Sequence, residues 1–98
     1  MLAAGTARVD ITPPIGIAHA GWGAQSHEGA EGIDMPLTIT ALVIETDGNT
    51  NPAERIAILD IDTCMLVEAY DVAIREAVRE ATGIPPVNQR VSYTHTHS

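Results

Sequence analysis

The sequence predicts an α/β fold, a mixed sheet with a β-hairpin and one right-handed βαβ crossover, amounting to part of a domain. Three observations predict it. Two β-branched runs, "LTITALVIE" (Leu37 to Glu45) and "RIAILDID" (Arg55 to Asp62), are separated only by a turn-rich link. A stretch with helical spacing follows the second run. A third β-branched run, Arg90 to Thr94, closes the pattern strand, helix, strand.

The elements follow in order. "GTARVDIT" (Gly5 to Thr12) alternates well enough for a short strand, which Pro13 and Pro14 terminate. From Ile15 to Met35 the chain is rich in glycine and reads as a long loop, the kind of segment that carries function. His19 and His27 in this loop read as exposed histidines. Trp22, between Gly21 and Gly23, has room to lie across a pocket and could equally plug a core. Leu37–Glu45 and Arg55–Asp62 are joined by "TDGNTNPAE", whose Asp47-Gly48, Asn49 and Pro52 are turn residues, so these strands should form an antiparallel hairpin.

Leu66, Tyr70, Ala73, Ile74, Ala77, Val78 and Ala81 then recur on one helical face, with Glu68, Asp71, Arg75, Arg79 and Glu80 opposite. Asp62 or Thr63 can cap the start. Gly83, followed by Pro85 and Pro86, marks the end. A helix between two strands makes the strands at Arg55–Asp62 and Arg90–Thr94 parallel, with their carboxyl ends on one edge. Ligands of open α/β sheets bind outside that edge.

Composition narrows the function. The 98 residues hold 45% hydrophobic side chains with mean hydropathy +0.07, a globular composition, yet contain no Phe and one Trp. The core is therefore small and aliphatic. The net charge is −8 with no lysine, and the five arginines are scattered. Phosphate-backbone binding needs clustered cations, so nucleic acid is excluded as a partner, and an anionic membrane surface would repel the chain. No apolar run approaches the roughly 20 residues of a membrane span. The N-terminus lacks a basic segment followed by a long apolar one, so no signal peptide is expected and the chain as written is cytoplasmic. Cys64 is the only cysteine. It excludes an intrachain disulfide, argues against a Cys-based zinc site, and reads as a small buried hydrophobe rather than a reactive thiol.

The chemistry concentrates in "VSYTHTHS" (Val91 to Ser98). In extended backbone, residues two apart point to the same side, so His95 and His97 should project together as a metal requires. A catalytic zinc takes three or more N or O protein ligands and keeps a position for water, so at least one ligand must come from elsewhere. Asp62 could accept a hydrogen bond from an imidazole and orient it, or serve only as the helix cap. Asp60 could face the opposite layer or pair with Arg55.

Several segments, in order, resemble the N-terminal portion of the catalytic domain of the neutral/alkaline non-lysosomal ceramidase family. They are "AGTARVDITPP", Gly21-Trp22, "EGIDMPLTITALVIE", "RIAILDID" and "ATGIPPVNQRVSYTHTHS", and together they span essentially residues 1–98. The resemblance implies a zinc-dependent amidohydrolase that cleaves the N-acyl bond of ceramide or a related lipid amide. It makes His95 a zinc ligand and His97 a catalytic residue that contacts the substrate. Asp62 falls at the family's acidic strand end. The family's remaining ligands, a later His, a Glu and a Tyr, have no counterpart in these 98 residues, so the resemblance implies a zinc site and a domain completed by residues outside the chain. The outline from "ILDIDTC" to "THTHS" also resembles the metallo-β-lactamase superfamily, while "DITPP" and "EGIDMPL" fit only the ceramidase pattern. A third expectation is a non-catalytic fragment that packs against a partner lobe.

Overall fold

The computed structural model describes residues 1–18, 26 and 28–97. Its centre is a four-stranded sheet in the order β1-β2-β3-β4, with β1 at Leu2–Asp10, β2 at Thr38–Thr46, β3 at Ile56–Ile61 and β4 at Gln89–Tyr93. β1 and β2 pair antiparallel from Leu2 opposite Thr46 to Asp10 opposite Thr38. β2 and β3 form the antiparallel hairpin expected of their short link, and β3 and β4 are parallel. Helix α1, Glu68–Thr82, connects the parallel pair. The mixed α/β sheet expected from the sequence is present.

The first strand lies earlier than its alternation suggests. Ala3, Ala4 and Gly5 are poor strand formers, yet nine residues of β1 pair along the full nine of β2, because an available ladder outweighs intrinsic preference. At its other end Thr12 leaves the strand. Its amide donates to Asp10 Oδ1, and its hydroxyl oxygen accepts from the Leu37 amide. These bonds close the mouth of the long β1–β2 connection. The Gly16 amide donates to the Ala30 carbonyl, and the Ala30 amide to the Ile17 carbonyl. His19, Trp22 and His27 lie outside the described residues.

One face of the sheet packs against α1. Ala57, Leu59 and Ile84 form the buried cluster, with Ile39, Ala41, Val43 and Val91 from the sheet and Ile74 and Val78 from the helix around it. The apolar stripe read from the sequence is only partly used. Tyr70 remains 63% exposed, because the narrow four-stranded sheet receives the Ile74–Val78 line and leaves the flank of the helix uncovered. Alternation places Leu42, Ile44, Ile56 and Ile58 on the opposite face, where Ile56 is half exposed. Asp60 is on that face and exposed. Arg55 does not pair with it, since its guanidinium bonds the Glu45 carboxylate. Among the described residues, no helix is long and apolar enough to cross a membrane.

The helix begins later than the predicted caps allow. Val67 occupies the N-cap position without a side-chain cap, so neither Asp62 nor Thr63 performs that role. Asp62 is instead drawn to the first amide of β2, which would otherwise lack an acceptor at the end of the ladder. The C-terminus is as expected. Gly83 adopts φ 76°, and its amide donates to the Arg79 carbonyl. A Cβ there would sit 2.9 Å from Cβ of Pro52. Gly83→Ala is therefore expected to lower stability by about 2 kcal/mol, combining the left-handed penalty with overpacking, as read from urea denaturation. An unchanged midpoint would refute the close approach.

A polar network ties α1 to β4. Tyr93 donates to Asp71 Oδ2 at 2.6 Å, Arg75 bonds Asp71 Oδ1, and Arg75 also donates to the Gln89 carbonyl. The Tyr93 hydroxyl, with Arg75, holds the Asp71 carboxyl below its usual range, and the same carboxylate raises the Tyr93 phenol. The signs define a window. A depressed carboxyl contributes stability above its unfolded value of about 4 and loses it as pH falls. A raised phenol contributes below about 10 and loses it as pH rises. Tyr93→Phe should lower stability most between those limits and flatten both limbs of the stability–pH curve. A uniform loss at all pH values would contradict this coupling.

Candidate metal centre

The strand directions bring chemistry to one end of the sheet. β1 and β3 run toward that end, β2 starts there, and the parallel register makes β4 finish beside β3. Beyond the last paired residues, Ile61 and Tyr93, the two chains remain tied. The Thr94 amide donates to the Ile61 carbonyl, and the His95 amide donates to the Thr63 carbonyl, both at 3.0 Å. These bonds align the segment after β3 with the segment after β4, so Cys64 meets His95 across 31 positions of sequence.

Cys64 Sγ lies 3.6 Å from both ring nitrogens of His95 and 3.8 Å from Nε2 of His97. The imidazoles meet edge to face, with centroids 5.0 Å apart and planes at 81°. One donor atom from each of Cys64, His95 and His97 lies within 4.8 Å of the others, close enough for the three to hold a metal ion. Cys64 and His97 are half-buried and His95 is exposed.

Two readings of the sequence are corrected here. Cys64 is half-buried rather than buried, and a single cysteine does contribute to a metal-capable set, because the parallel register delivers two imidazoles to it. Nor do the histidines converge as alternate residues of an extended strand. β4 ends at Tyr93, and His95 has φ 62°, the left-handed region that costs a non-glycine residue about 1–3 kcal/mol. Histidine tolerates that region better than most residues do. The turn at His95 lets both rings flank the sulfur. Strain of this kind persists only where surrounding bonds hold it, and the His95–Thr63 bond is one of them.

The donor chemistry fits a borderline-soft transition metal, a class that includes zinc. One thiolate and two imidazoles form a borderline-soft set, unlike the all-oxygen shells of magnesium or calcium. Usual Zn–S and Zn–N lengths place tetrahedral S and N donors roughly 3.6 Å apart. Cys64 Sγ is 3.6 Å from both ring nitrogens of His95, so the ring must turn to aim one of them at an ion shared with the sulfur. Three protein donors also leave a position for a fourth ligand.

Asp62 lies next to this centre and bonds elsewhere than to an imidazole. Its Oδ2 accepts from the Thr38 amide at 2.9 Å and the Thr38 hydroxyl at 3.2 Å. The Thr38 amide is the main reason its carboxyl sits below the usual range; the Thr38 and Thr94 hydroxyls and Arg8 act in the same direction, against desolvation. Asp62 thus touches the histidine segment through Thr94, the residue before His95.

Asp62 and Thr96 also line an open cleft of about 500 Å³ beneath the long β1–β2 connection. The rest of its wall includes Pro13, Ile15, Ile17, Ile33, Met35 and Leu37, together with the carboxylates Glu31 and Asp34. Thr96 stands between the two histidines in sequence, so the wall of the cleft includes a direct chain neighbour of each. Residues 15–35 read in the sequence as a long loop of the kind that carries function, but the placing of Thr96 in the same wall required the fold.

No model of a known protein family matches the chain, and no curated protein matches it.

Zinc titration of the chain is expected to show one ion per chain. Cys64→Ser and His95→Asn, the latter chosen because asparagine also accepts a left-handed backbone, should each weaken affinity by about 100-fold or more, given that loss of even an outer partner costs 10–100-fold. Affinity unchanged in either variant would remove that residue from the centre.

Proposed function

We propose that the chain carries the metal centre of a zinc-dependent amidohydrolase acting on the N-acyl bond of a lipid amide. The observation that carries this reading is the Cys64–His95–His97 cluster, with an apolar cleft of about 500 Å³ whose wall includes Thr96, the residue between the two histidines. The resemblance of the chain to ceramidases supports the reaction class, and the donor set supports zinc.

Bound zinc supplies Lewis-acid polarisation of a carbonyl and activation of water near neutral pH. The chain's own residues do the rest. Cys64 and His95 hold the ion. His97, which the resemblance assigns to substrate contact, is counted here as the third donor, because its Nε2 is 3.8 Å from the Cys64 sulfur. Asp62 faces the cleft as a carboxylate held ionised by Thr38. A carboxyl with a lowered pKa is a weak general base at neutral pH and a good hydrogen-bond acceptor, so Asp62 orients the amide N–H or a hydroxyl of the substrate. Ile15, Ile17, Ile33 and Leu37 exclude water from the acyl chain.

Acyl hydroxamates test the reading, since they combine a carbonyl metal-chelating head with a variable tail. A medium-chain hydroxamate should bind the zinc-loaded chain more tightly than acetohydroxamate, about fourfold per buried methylene at ~0.8 kcal/mol each. Ile33→Asp should abolish the preference, and cleavage of a medium-chain N-acyl amide should stop with a chelator. Equal binding of short and long tails would sink the lipid-amide assignment.

A further inference from the structure

The donor set contains one atom that can change oxidation state under mild conditions, and it stands at the surface end of the sheet. Cys64 is half-buried, with its sulfur in contact with both imidazoles. A thiol that ligates a metal is deprotonated outright, and thiolate character together with solvent access determines which cysteines peroxides oxidise. Cys64 also has no second cysteine in the sequence to form a disulfide with it.

We infer that Cys64 makes the metal centre redox-gated, with peroxide releasing the ion and a small external thiol restoring the site. This inference rests on the three-donor reading above and adds its regulation. The thiolate sulfur attacks one oxygen of hydrogen peroxide, the S–O bond forms, the O–O bond breaks, and the departing hydroxide takes the proton of the new S–OH group to leave as water. Sulfur loses two electrons, the peroxide gains them, and Cys64 becomes a sulfenate. That group has lost the soft, strongly donating thiolate, and His95 with His97 alone binds a divalent ion weakly. Reversal requires a thiol co-reactant such as glutathione. Its sulfur attacks the sulfenic sulfur, water leaves and a mixed disulfide forms. A second thiol then displaces Cys64 as a thiolate, giving the external disulfide. With no cysteine available within the chain, recovery tracks the external thiol concentration.

The full 98-residue chain is loaded with zinc and treated with hydrogen peroxide, while zinc release is followed with a chromophoric chelator and Cys64 by peptide mass spectrometry. Release should proceed in step with the gain of one oxygen at Cys64. Glutathione should then restore binding by way of a glutathione adduct on the same peptide. Cys64→His, which keeps a third donor that mild peroxide does not convert, should hold its zinc through the same treatment. Retention of zinc by the wild-type chain with Cys64 oxidised, or equal release from Cys64→His, overturns the gating. The wild-type arm decides the matter if the variant fails to fold. A chain that takes up no zinc before any peroxide is added brings down the metal centre itself, a different result from a centre that binds zinc and ignores peroxide.

Discussion

The parallel pairing of β3 and β4 is the constraint on which the rest of the structure depends. It is a costly arrangement, because strands running the same way need a crossover, and the helix Glu68–Thr82 supplies it. Its consequence is positional. Both strands end on the same edge, and two further backbone bonds, from Thr94 to Ile61 and from His95 to Thr63, extend the alignment past the last paired residues. Without that extension Cys64 and the histidines would be separate loop residues. With it they form a cluster whose donor atoms lie within 4.8 Å.

The network behind the cluster serves the same end. Gln89, buried at the start of β4, uses its side-chain amide to satisfy the carbonyls of Arg75 and Ile84, while Tyr93 at the strand's other end bonds Asp71. Both ends of β4 are therefore tied to the N-terminal half of the helix, through Arg75 and Asp71. The left-handed turn at His95 is placed where this anchoring ends, so the strained residue is held by a fixed strand on one side. A metal-capable group built on strand ends is positioned more accurately than one built wholly on loops.

Much of the frame was legible in the residues. The hairpin followed from β-branched runs around Asp47-Gly48, and the crossover from helical spacing between two such runs. Gly83 ended the helix where its φ of 76° requires. The start of the helix was not legible, because Asp62 looks like a cap until β2 presents an unpaired amide to it. Cys64 was misread for a similar reason. Nothing local distinguishes it from a core thiol, and its contact with His95 exists only through the parallel register. The histidine pair was recognised as a candidate on the wrong geometry, since alternate spacing suggests an extended strand and gives no sign of a left-handed turn. Contacts made between distant segments determine what each of these residues does.

The central claim is that sulfur from Cys64 and nitrogen from the two histidines bind one ion together. X-ray absorption at the zinc edge of the loaded chain tests it most directly, because scattering from sulfur and from nitrogen is separable in distance and phase. The account predicts one sulfur at about 2.3 Å and light-atom ligands, including imidazole, at about 2.0–2.1 Å. A first shell of nitrogen and oxygen alone, with no sulfur, would contradict it.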